Sequence, residues 1–279
     1  MKTRIGVIGL GIIGSRAAAN LRKKGHSVYV WNRSPKNIPN FLGSASEVAR
    51  SADILQFFVS DDAALISAVE SIAADLTSDH VLLFHPTVLP ETILAAGEIA
   101  TRAGARFLEA PFTGSKGAAE AGQLVYYVAG DEALVREIEP LLLDTGKAVV
   151  PIGKPGQAAI VKIVTNLMSA SVLNTLGEIF TLANAAGITP EKLRDALAVN
   201  ANWSPLLAMK LPGIIEGNFE PHFSVRHMTK DVRHGEKLAA QYGVPTPAID
   251  AARNALISLV EHGDGDADYS IIAKIQKSR

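Results

Sequence analysis

The sequence contains no cysteine in its 279 residues. A disulfide framework, a thiolate nucleophile and a zinc site built on thiolates are therefore excluded. The absence suits a reducing compartment, and we expect a cytoplasmic protein. None of the seven histidines stands in an H-E-x-x-H arrangement, and His222, His227 and His234 lack the spacing of one helical face, so we expect no metal site.

Strong charge of either sign is also missing. The 27 basic and 28 acidic residues leave a formal net charge of -1, and no lysine or arginine cluster forms a stripe that could follow phosphates. We expect no nucleic-acid partner. The longest weakly charged run, 157–187, contains Lys162 and Glu178, which would be costly on a lone spanning helix. We therefore expect a buried helix there, no membrane association and no export signal.

What the sequence does contain is ordinary for a globular enzyme, with 48% hydrophobic and 20% charged residues in a chain long enough for two domains. Its first half alternates short β-rich runs with helical patterns such as 13–24 and 90–103, which is typical of βαβ units and a parallel sheet. The predicted strands cover 4–8, 27–31, 54–59, 81–85, 106–110, 124–129 and 148–151.

The pattern changes after Gly156, where strand-like runs disappear and apolar residues recur at helical spacing. Later helices are predicted to begin at Pro190 and Pro247, because proline is favoured in a first turn. We predict an α/β fold, with an N-terminal doubly wound, mainly parallel Rossmann-type sheet in residues 1–156 and an all-α domain in residues 157–279. The second domain is predicted to begin with a long interdomain helix and to serve substrate binding and dimerisation.

A G-x-G-x-x-G motif follows the first predicted strand directly and opens the next helix. In this context the first glycine permits a tight turn, the second lets the backbone approach a pyrophosphate, and the third allows close helix–strand packing. The helix N-terminus adds an attraction for the anion. The predicted dinucleotide site therefore includes Gly9, Leu10, Gly11, Ile12, Ile13 and Gly14. The alternative is an ordinary glycine-rich turn.

The end of the second strand indicates which dinucleotide is bound. NAD-preferring sites usually carry an acidic residue there, about 20 residues beyond the glycines, to hold the ribose 2′-hydroxyl. This chain has Asn32, Arg33 and Ser34 instead, and an arginine pairs with a 2′-phosphate that a carboxylate would repel. We therefore predict NADP as the cofactor, with Val59 at the end of the third strand as a further contact. A solvated loop charge is the alternative interpretation of Arg33.

A reductase also needs a proton donor beside the carbonyl group that receives the hydride. Lys162 is the best candidate, and Asn166 lies one helical turn later on the same face. Apolar surroundings disfavour the charged form of a lysine. They therefore lower its proton affinity and make the ammonium group a better proton donor. From the residues alone, a structural lysine explains the position equally well.

Four blocks of sequence occur in a recognisable order. They are GLGIIG at 9–14, EAPFTGSK at 109–116, GKPGQAAIVKIVTN at 153–166 and HMTKD at 227–231. Together they resemble the β-hydroxyacid dehydrogenase family, which includes 3-hydroxyisobutyrate dehydrogenases, tartronate semialdehyde reductases and glyoxylate/succinic semialdehyde reductases. The stretches 115–120 and 222–227 look most like the glyoxylate/succinic semialdehyde reductase branch, which prefers NADPH.

The resemblance implies roles for individual residues. It makes Lys162 the catalytic acid, which protonates the substrate oxygen as hydride arrives from the nicotinamide. Thr113 and the backbone at Gly114 would hold the substrate carboxylate, and Asn166 would orient the substrate. The resemblance also places Thr87 and Lys230 at the cofactor. It places Asp231 and Phe223 at the substrate, where Phe223 would line the pocket and Asp231 would also order Lys230.

We therefore predict an NADPH-dependent reductase of small aldehyde or keto acids, such as glyoxylate and succinic semialdehyde, and the resemblance implies a homodimer or homotetramer. The alternatives are a 3-hydroxyisobutyrate-type dehydrogenase, an imine reductase and a non-catalytic NADP-binding scaffold. The presence of Lys162 argues against the last two. Phe112 and Thr113 stand where the family usually has a small aliphatic residue and serine, which leaves the size of the substrate open.

Overall fold

The structure, a computed structural model, describes residues 3–274. The chain divides between Lys162 and Ile163 into two compact units. The first unit is an α/β structure and the second is helical.

The described part of the first unit contains one sheet of eight strands. They are β1 (Arg4–Ile8), β2 (Ser27–Trp31), β3 (Ile54–Phe57), β4 (Val81–Phe84), β5 (Arg106–Glu109), β6 (Phe112–Thr113), β7 (Leu124–Ala129) and β8 (Gly146–Gly153). The order is β2-β1-β3-β4-β5-β7-β6, with β8 paired to β7. Strands β1 to β5 are parallel, and the chain moves from β1 to opposite sides for β2 and β3. Ligands bind beyond the carboxyl ends of the strands at such a switch point.

Helices cover both faces of this sheet. They are α1 (Ile12–Lys23), α2 (Ala45–Ser51), α3 (Asp62–Ile72), α4 (Pro90–Arg102), α5 (Lys116–Glu120) and α6 (Glu132–Leu143). Successive side chains of β4 enter different hydrophobic clusters, with Val81 and Leu83 on one face and Leu82 and Phe84 on the other. Since both faces are buried, the parallel strands read as continuous apolar runs rather than alternating ones.

Several helices begin at side chains that cap the first turn. Ser44, Asp61 and Asp131 each accept a hydrogen bond from a backbone N–H three residues later. Such caps satisfy an amide that has no partner within the helix. The neighbouring Asp62 has a further role, because its carboxylate accepts the backbone N–H of Leu89 at 2.9 Å and so fixes the start of α4.

The second unit is built from helices. They are α7 (Gln157–Ala185, which begins in the first unit), α8 (Pro190–Ala198), α9 (Pro205–Glu216), α10 (Val225–Tyr242) and α11 (Pro247–Glu261), followed by 3-10 turns at Asp264–Asp266 and Tyr269–Ala273. α7 and α10 approach closely, since a Cβ atom on Gly235 would lie 2.5 Å from the Leu167 side chain. The ammonium group of Lys210 and the carboxylate of Asp268 form a buried ion pair at 2.6 Å.

The predicted fold class is confirmed, because a mainly parallel sheet with helices is followed by a helical region. The bounds of β1, β2 and β7 are as predicted, and α8 and α11 begin at the predicted prolines. The predicted strand 148–151 is part of the longer β8. The sequence does not predict β6, because two residues are too few to show alternation.

Three predicted strands are too long at their carboxyl ends. β3, β4 and β5 end at Phe57, Phe84 and Glu109. The next residue of each still donates its backbone N–H to a neighbouring strand, after which the chain leaves the ladder. Apolar composition therefore continues beyond the strand, into the loops at the ligand edge of the sheet.

The helix α7 is less buried than the sequence suggests. By length and composition it could cross a membrane, although the core helix of a soluble protein passes the same test. Only 33% of its most apolar window is buried. Val164, Met168, Ile179 and Leu182 are exposed, so the expectation of a buried helix holds only in part.

Candidate functional site

The glycine-rich turn between β1 and α1 is held in a shape that only glycine allows at two positions. Gly9 has a φ of +100°, and a Cβ atom there would lie 2.3 Å from the carbonyl oxygen of Phe58. A Cβ atom on Gly14 would lie 2.1 Å from the carbonyl oxygen of Gly9. The turn therefore packs directly on the loop after β3, where the predicted cofactor residue Val59 is half-buried.

The middle of the same turn is open. A Cβ atom on Gly11 would have no atom within 4 Å, and Ile12 is 42% exposed. Among the described residues, no side chain caps the first turn of α1, and that turn carries no acidic residue. Backbone N–H groups at a helix N-terminus attract anions, and the open glycine lets a ligand come close. These residues fit the pyrophosphate of a dinucleotide.

The segment after β2 is tied to the glycine-rich turn through Leu10. The Asn32 side chain accepts the backbone N–H of Leu10 at 3.0 Å and donates to the carbonyl oxygen of Ser34 at 2.9 Å. The ammonium group of Lys36 donates to the carbonyl oxygen of Leu10. Arg33 is exposed on this segment. The structure thus brings the predicted residues 32–34 to the glycine-rich turn and places a guanidinium group, not a carboxylate, after β2.

Aromatic side chains gather at the carboxyl ends of the central strands. The rings of Phe58 and His85 are stacked, with their centroids 4.3 Å apart. The ring centroid of Phe112 lies 6.0 Å from that of Phe58 and 6.2 Å from that of Tyr126. His85 is fully enclosed, with Nδ1 2.7 Å from the carbonyl oxygen of Ala110. Burial lowers the pKa of His85 to about 4, so the ring is neutral at pH 7.

The predicted substrate loop follows these aromatic residues. Thr113 pairs with Val125 in the short β6–β7 ladder, which fixes its backbone. Gly114 is exposed and has a φ of +139°, in the left-handed region that favours glycine. Ser115 then caps α5. Thr87, the predicted nicotinamide contact, is half-buried in the loop between β4 and α4.

The predicted proton donor Lys162 lies in the second turn of α7 and is half-buried. The start of that helix is held by Glu109, the last residue of β5, which is 0% exposed. Its carboxylate accepts backbone N–H groups from Gly156, at 2.5 Å, and from Ala159. Burial raises the pKa of Glu109 to about 7, although the two N–H groups act in the opposite direction.

In the second unit, the predicted residues Asn166, Lys230 and Asp231 come together. The side-chain amide of Asn166 donates to Asp231 at 2.6 Å, and the ammonium nitrogen of Lys230 lies 3.1 Å from the other carboxylate oxygen. Asp231 is 0% exposed. Because its carboxylate binds both neighbours, Asp231 orients the two side chains.

Phe223 has aromatic neighbours within the second unit. It is half-buried, and its ring centroid is 5.8 Å from that of His227 and 5.9 Å from that of Tyr269. Asp268 accepts its backbone N–H at 3.1 Å. Among residues 3–274, no group of three or more histidine, aspartate or glutamate side chains could hold a metal ion.

Two well-placed residues are missed by sequence reasoning. Lys36 contacts the glycine-rich turn across 26 residues of sequence, and Glu109 caps α7 across 47. The only signal for Glu109 is an acidic residue at the end of an apolar strand, where a buried charge requires partners. Nothing in the local pattern at Lys36 distinguishes it from a solvated loop lysine.

Comparison with known proteins agrees with this geometry. Residues 4–153 match the NAD binding domain of 6-phosphogluconate dehydrogenase, and residues 156–276 match the NAD-binding domain of NADP-dependent 3-hydroxyisobutyrate dehydrogenase. The fold and the site therefore define an NAD(P)-dependent dehydrogenase or reductase. The chain belongs to the β-hydroxyacid dehydrogenase family, whose 3-hydroxyisobutyrate dehydrogenase-like members share both domains.

Individual relatives are similar over the whole chain. Glyoxylate/succinic semialdehyde reductase 1 of Arabidopsis thaliana is 31% identical over 98% of this chain and 98% of its own length. The cytokine-like nuclear factor N-PAC of Homo sapiens is 30% identical over 96% of this chain, which spans only 50% of that protein. The structure of Mycobacterium tuberculosis 3-hydroxyisobutyrate dehydrogenase with L-serine has a TM-score of 0.88 at 22% identity and covers 98% of both chains, which shows the shared fold.

Proposed function

We propose that the protein reduces the carbonyl group of a small aldehyde or keto acid with NADPH, as a cytoplasmic homo-oligomer. Glyoxylate and succinic semialdehyde are the substrates of choice. The observation that carries the proposal is Lys162 in the second turn of α7, followed one turn later by Asn166, which a buried carboxylate orients. The 31% identity to an Arabidopsis reductase of those two aldehydes supports the choice of substrate.

NADPH is proposed over NADH because of the segment after β2. That segment presents Arg33 and, in place of an acidic residue, Asn32, whose side chain is already bonded to the glycine-rich turn. A guanidinium group can pair with the two oxygens of a phosphate. When bound, the reduced nicotinamide supplies the hydride.

The residues of this chain supply binding and a proton. Thr113 and the backbone N–H groups around Gly114 bind the substrate carboxylate, in a loop fixed by the β6–β7 ladder. The ammonium group of Lys162 donates its proton to the carbonyl oxygen as negative charge develops there. Asn166 orients the substrate, with its own amide held by Asp231.

The test is nicotinamide oxidation by the purified protein, followed by absorbance, with NADPH or NADH and a panel of carbonyl compounds. The panel contains glyoxylate, succinic semialdehyde, methylmalonate semialdehyde and a cyclic imine. Fast NADPH oxidation with either of the first two supports the proposal. Preference for the third moves the protein to the 3-hydroxyisobutyrate dehydrogenases, and turnover of the imine alone contradicts the role of Lys162.

Lys162→Ala should lower kcat by about 10²- to 10⁴-fold, the usual contribution of a positioned general acid, while NADPH binding stays within about twofold. Lys154→Ala, in the exposed loop before α7, is the matched control and should keep full activity. Unchanged turnover in Lys162→Ala would overturn the mechanism. If the wild-type protein binds NADPH tightly and reduces nothing, a non-catalytic scaffold becomes the better account.

A further inference from the structure

Glu109 occupies an unusual position, with a carboxylate enclosed in the first unit at the junction of two segments that the proposed reaction uses. It is 0% exposed, and its hydrogen-bond partners in the described structure are the backbone N–H groups of Gly156 and Ala159. An unpaired buried carboxylate is costly, so these two contacts decide whether the residue can be tolerated at all.

The two contacts replace an ordinary helix cap. The residue before α7 is Gly156, which has no side chain to accept an N–H of the first turn. Its φ of +91° lies in the left-handed region. The Glu109 carboxylate accepts the N–H groups on both sides of this helix start, where the partial positive charge of the helix also favours an anion.

The same residue begins the segment that leads to the proposed substrate loop. Glu109 ends β5, and Thr113 and Gly114 follow after four and five residues. Ala110 donates its backbone N–H to Phe84 at 2.8 Å, and the carbonyl of Pro111 accepts the backbone N–H of Tyr127 at 2.8 Å. The segment from Glu109 to Thr113 is therefore fixed to the sheet on both sides.

On the other side of the carboxylate, Lys162 follows Ala159 by three residues, which places it less than one helical turn beyond the contact. We propose that Glu109 is a positioning residue for the proposed reduction, because its carboxylate sets the place of the Lys162 turn relative to the Thr113–Gly114 loop. The proposal rests on the proposed function for its catalytic part. A displacement of about 1 Å at a catalytic group can cost about a hundredfold in rate.

The test compares Glu109→Gln and Glu109→Asp with Asp131→Asn as the matched control. Asp131 also caps a helix of the first unit, since it accepts the backbone N–H of Leu134 at 2.8 Å. Amide hydrogen exchange is measured by mass spectrometry in residues 156–162 and 131–137, and kcat and KM are measured with the aldehyde that the panel identifies.

Glu109→Gln should speed exchange in residues 156–162 by about tenfold or more and leave residues 131–137 unchanged, because an amide has one oxygen for the two N–H groups that Glu109 accepts. Asp131→Asn keeps an oxygen for the single N–H of Leu134 and should change exchange in neither segment. Glu109→Gln should also lower kcat by about ten- to a hundredfold with NADPH affinity within about twofold, and Glu109→Asp should recover part of kcat. Asp131→Asn should keep kcat even where it lowers thermal stability.

Two results would overturn the proposal. One is unchanged exchange in residues 156–162 of Glu109→Gln, and the other is faster exchange there with unchanged kcat. Failure of the proposed function looks different, because the wild-type protein would then reduce no member of the panel. In that case the readout in place of kcat is the rate at which an acylating reagent modifies Lys162, measured by mass spectrometry as a function of pH. An identical pH profile in the wild type and in Glu109→Gln would overturn the proposal.

Discussion

His85 is a neutral side chain at a position where the fold cannot easily accept a charge. It is 1% exposed, and its ring stacks on Phe58 and donates a hydrogen bond from Nδ1 to the carbonyl oxygen of Ala110 at 2.7 Å. Its Nε2 atom lies 3.0 Å from Oε1 of Gln56. Burial lowers its pKa to about 4 from an ordinary 6.5. Because the folded value is the lower one, this histidine contributes stability that is present above about pH 6.5 and is lost as pH falls toward 4.

His85→Asn should therefore weaken the acid sensitivity of the first unit. The asparagine amide can still donate to the Ala110 carbonyl, but it does not titrate. The shift of the histidine pKa to about 4 corresponds to a loss of at most roughly 3 kcal/mol in the free energy of unfolding between pH 7 and pH 4. Urea unfolding at several pH values measures it, in a Trp203→Phe background where Trp31 fluorescence reports the first unit alone. The exposed His262→Asn serves as control, and equal acid sensitivity in all three proteins would refute the role of His85.

At the scale of elements, the sequence predicts what depends on neighbours in the chain. The strand before GLGIIG and the prolines at helix starts are local signals, and the structure has them at the predicted places. The helix after GLGIIG lies within one residue of its predicted bounds. Hydrogen bonds and ion pairs between residues that are far apart in the sequence have no such signal. The contacts of Glu109 with Gly156, Lys36 with Leu10, and Lys210 with Asp268 depend on the assembled fold.

The segment after β2 is the element that should decide cofactor choice. Its attachment to Leu10 by Asn32 and Lys36 holds Arg33 near the glycine-rich turn. Arg33→Asp should lower the ratio of kcat/KM for NADPH to kcat/KM for NADH by about tenfold or more. A carboxylate repels the 2′-phosphate of NADPH and can accept a hydrogen bond from the ribose 2′-hydroxyl of NADH. Steady-state kinetics with both cofactors measure the ratio. Arg102→Asp, an equal charge change on an exposed part of α4, should not alter it, and an unaltered NADPH preference in Arg33→Asp would mean that another residue binds the phosphate.

At the scale of the whole molecule, α7 presents an apolar stripe to solvent. Val164, Met168, Ile179 and Leu182 are 46%, 69%, 43% and 73% exposed, and the half-buried Val172 lies between them. The spacing keeps all five on one side of the helix over about five turns, or about 27 Å. The exposed Thr175 interrupts this side of the helix, but a largely apolar surface of this length is typical of an interface.

We expect a second copy of the chain to cover the stripe, in line with the proposed homo-oligomer. The two ends of the stripe carry similar side chains on either side of Val172, so two α7 helices can pair antiparallel about a two-fold axis and bury the same residues twice.

The wild-type protein should therefore have a mass that is a multiple of 29.5 kDa in light scattering. Met168→Glu and Leu182→Glu should each shift the measured mass toward that of the monomer, because the new carboxylate would be buried against the second copy of the chain. Leu94→Glu on α4, at a residue 52% exposed in the first unit, should leave the assembly intact. A monomeric wild type, or an unaffected assembly in both α7 variants, would show that the stripe is not the interface.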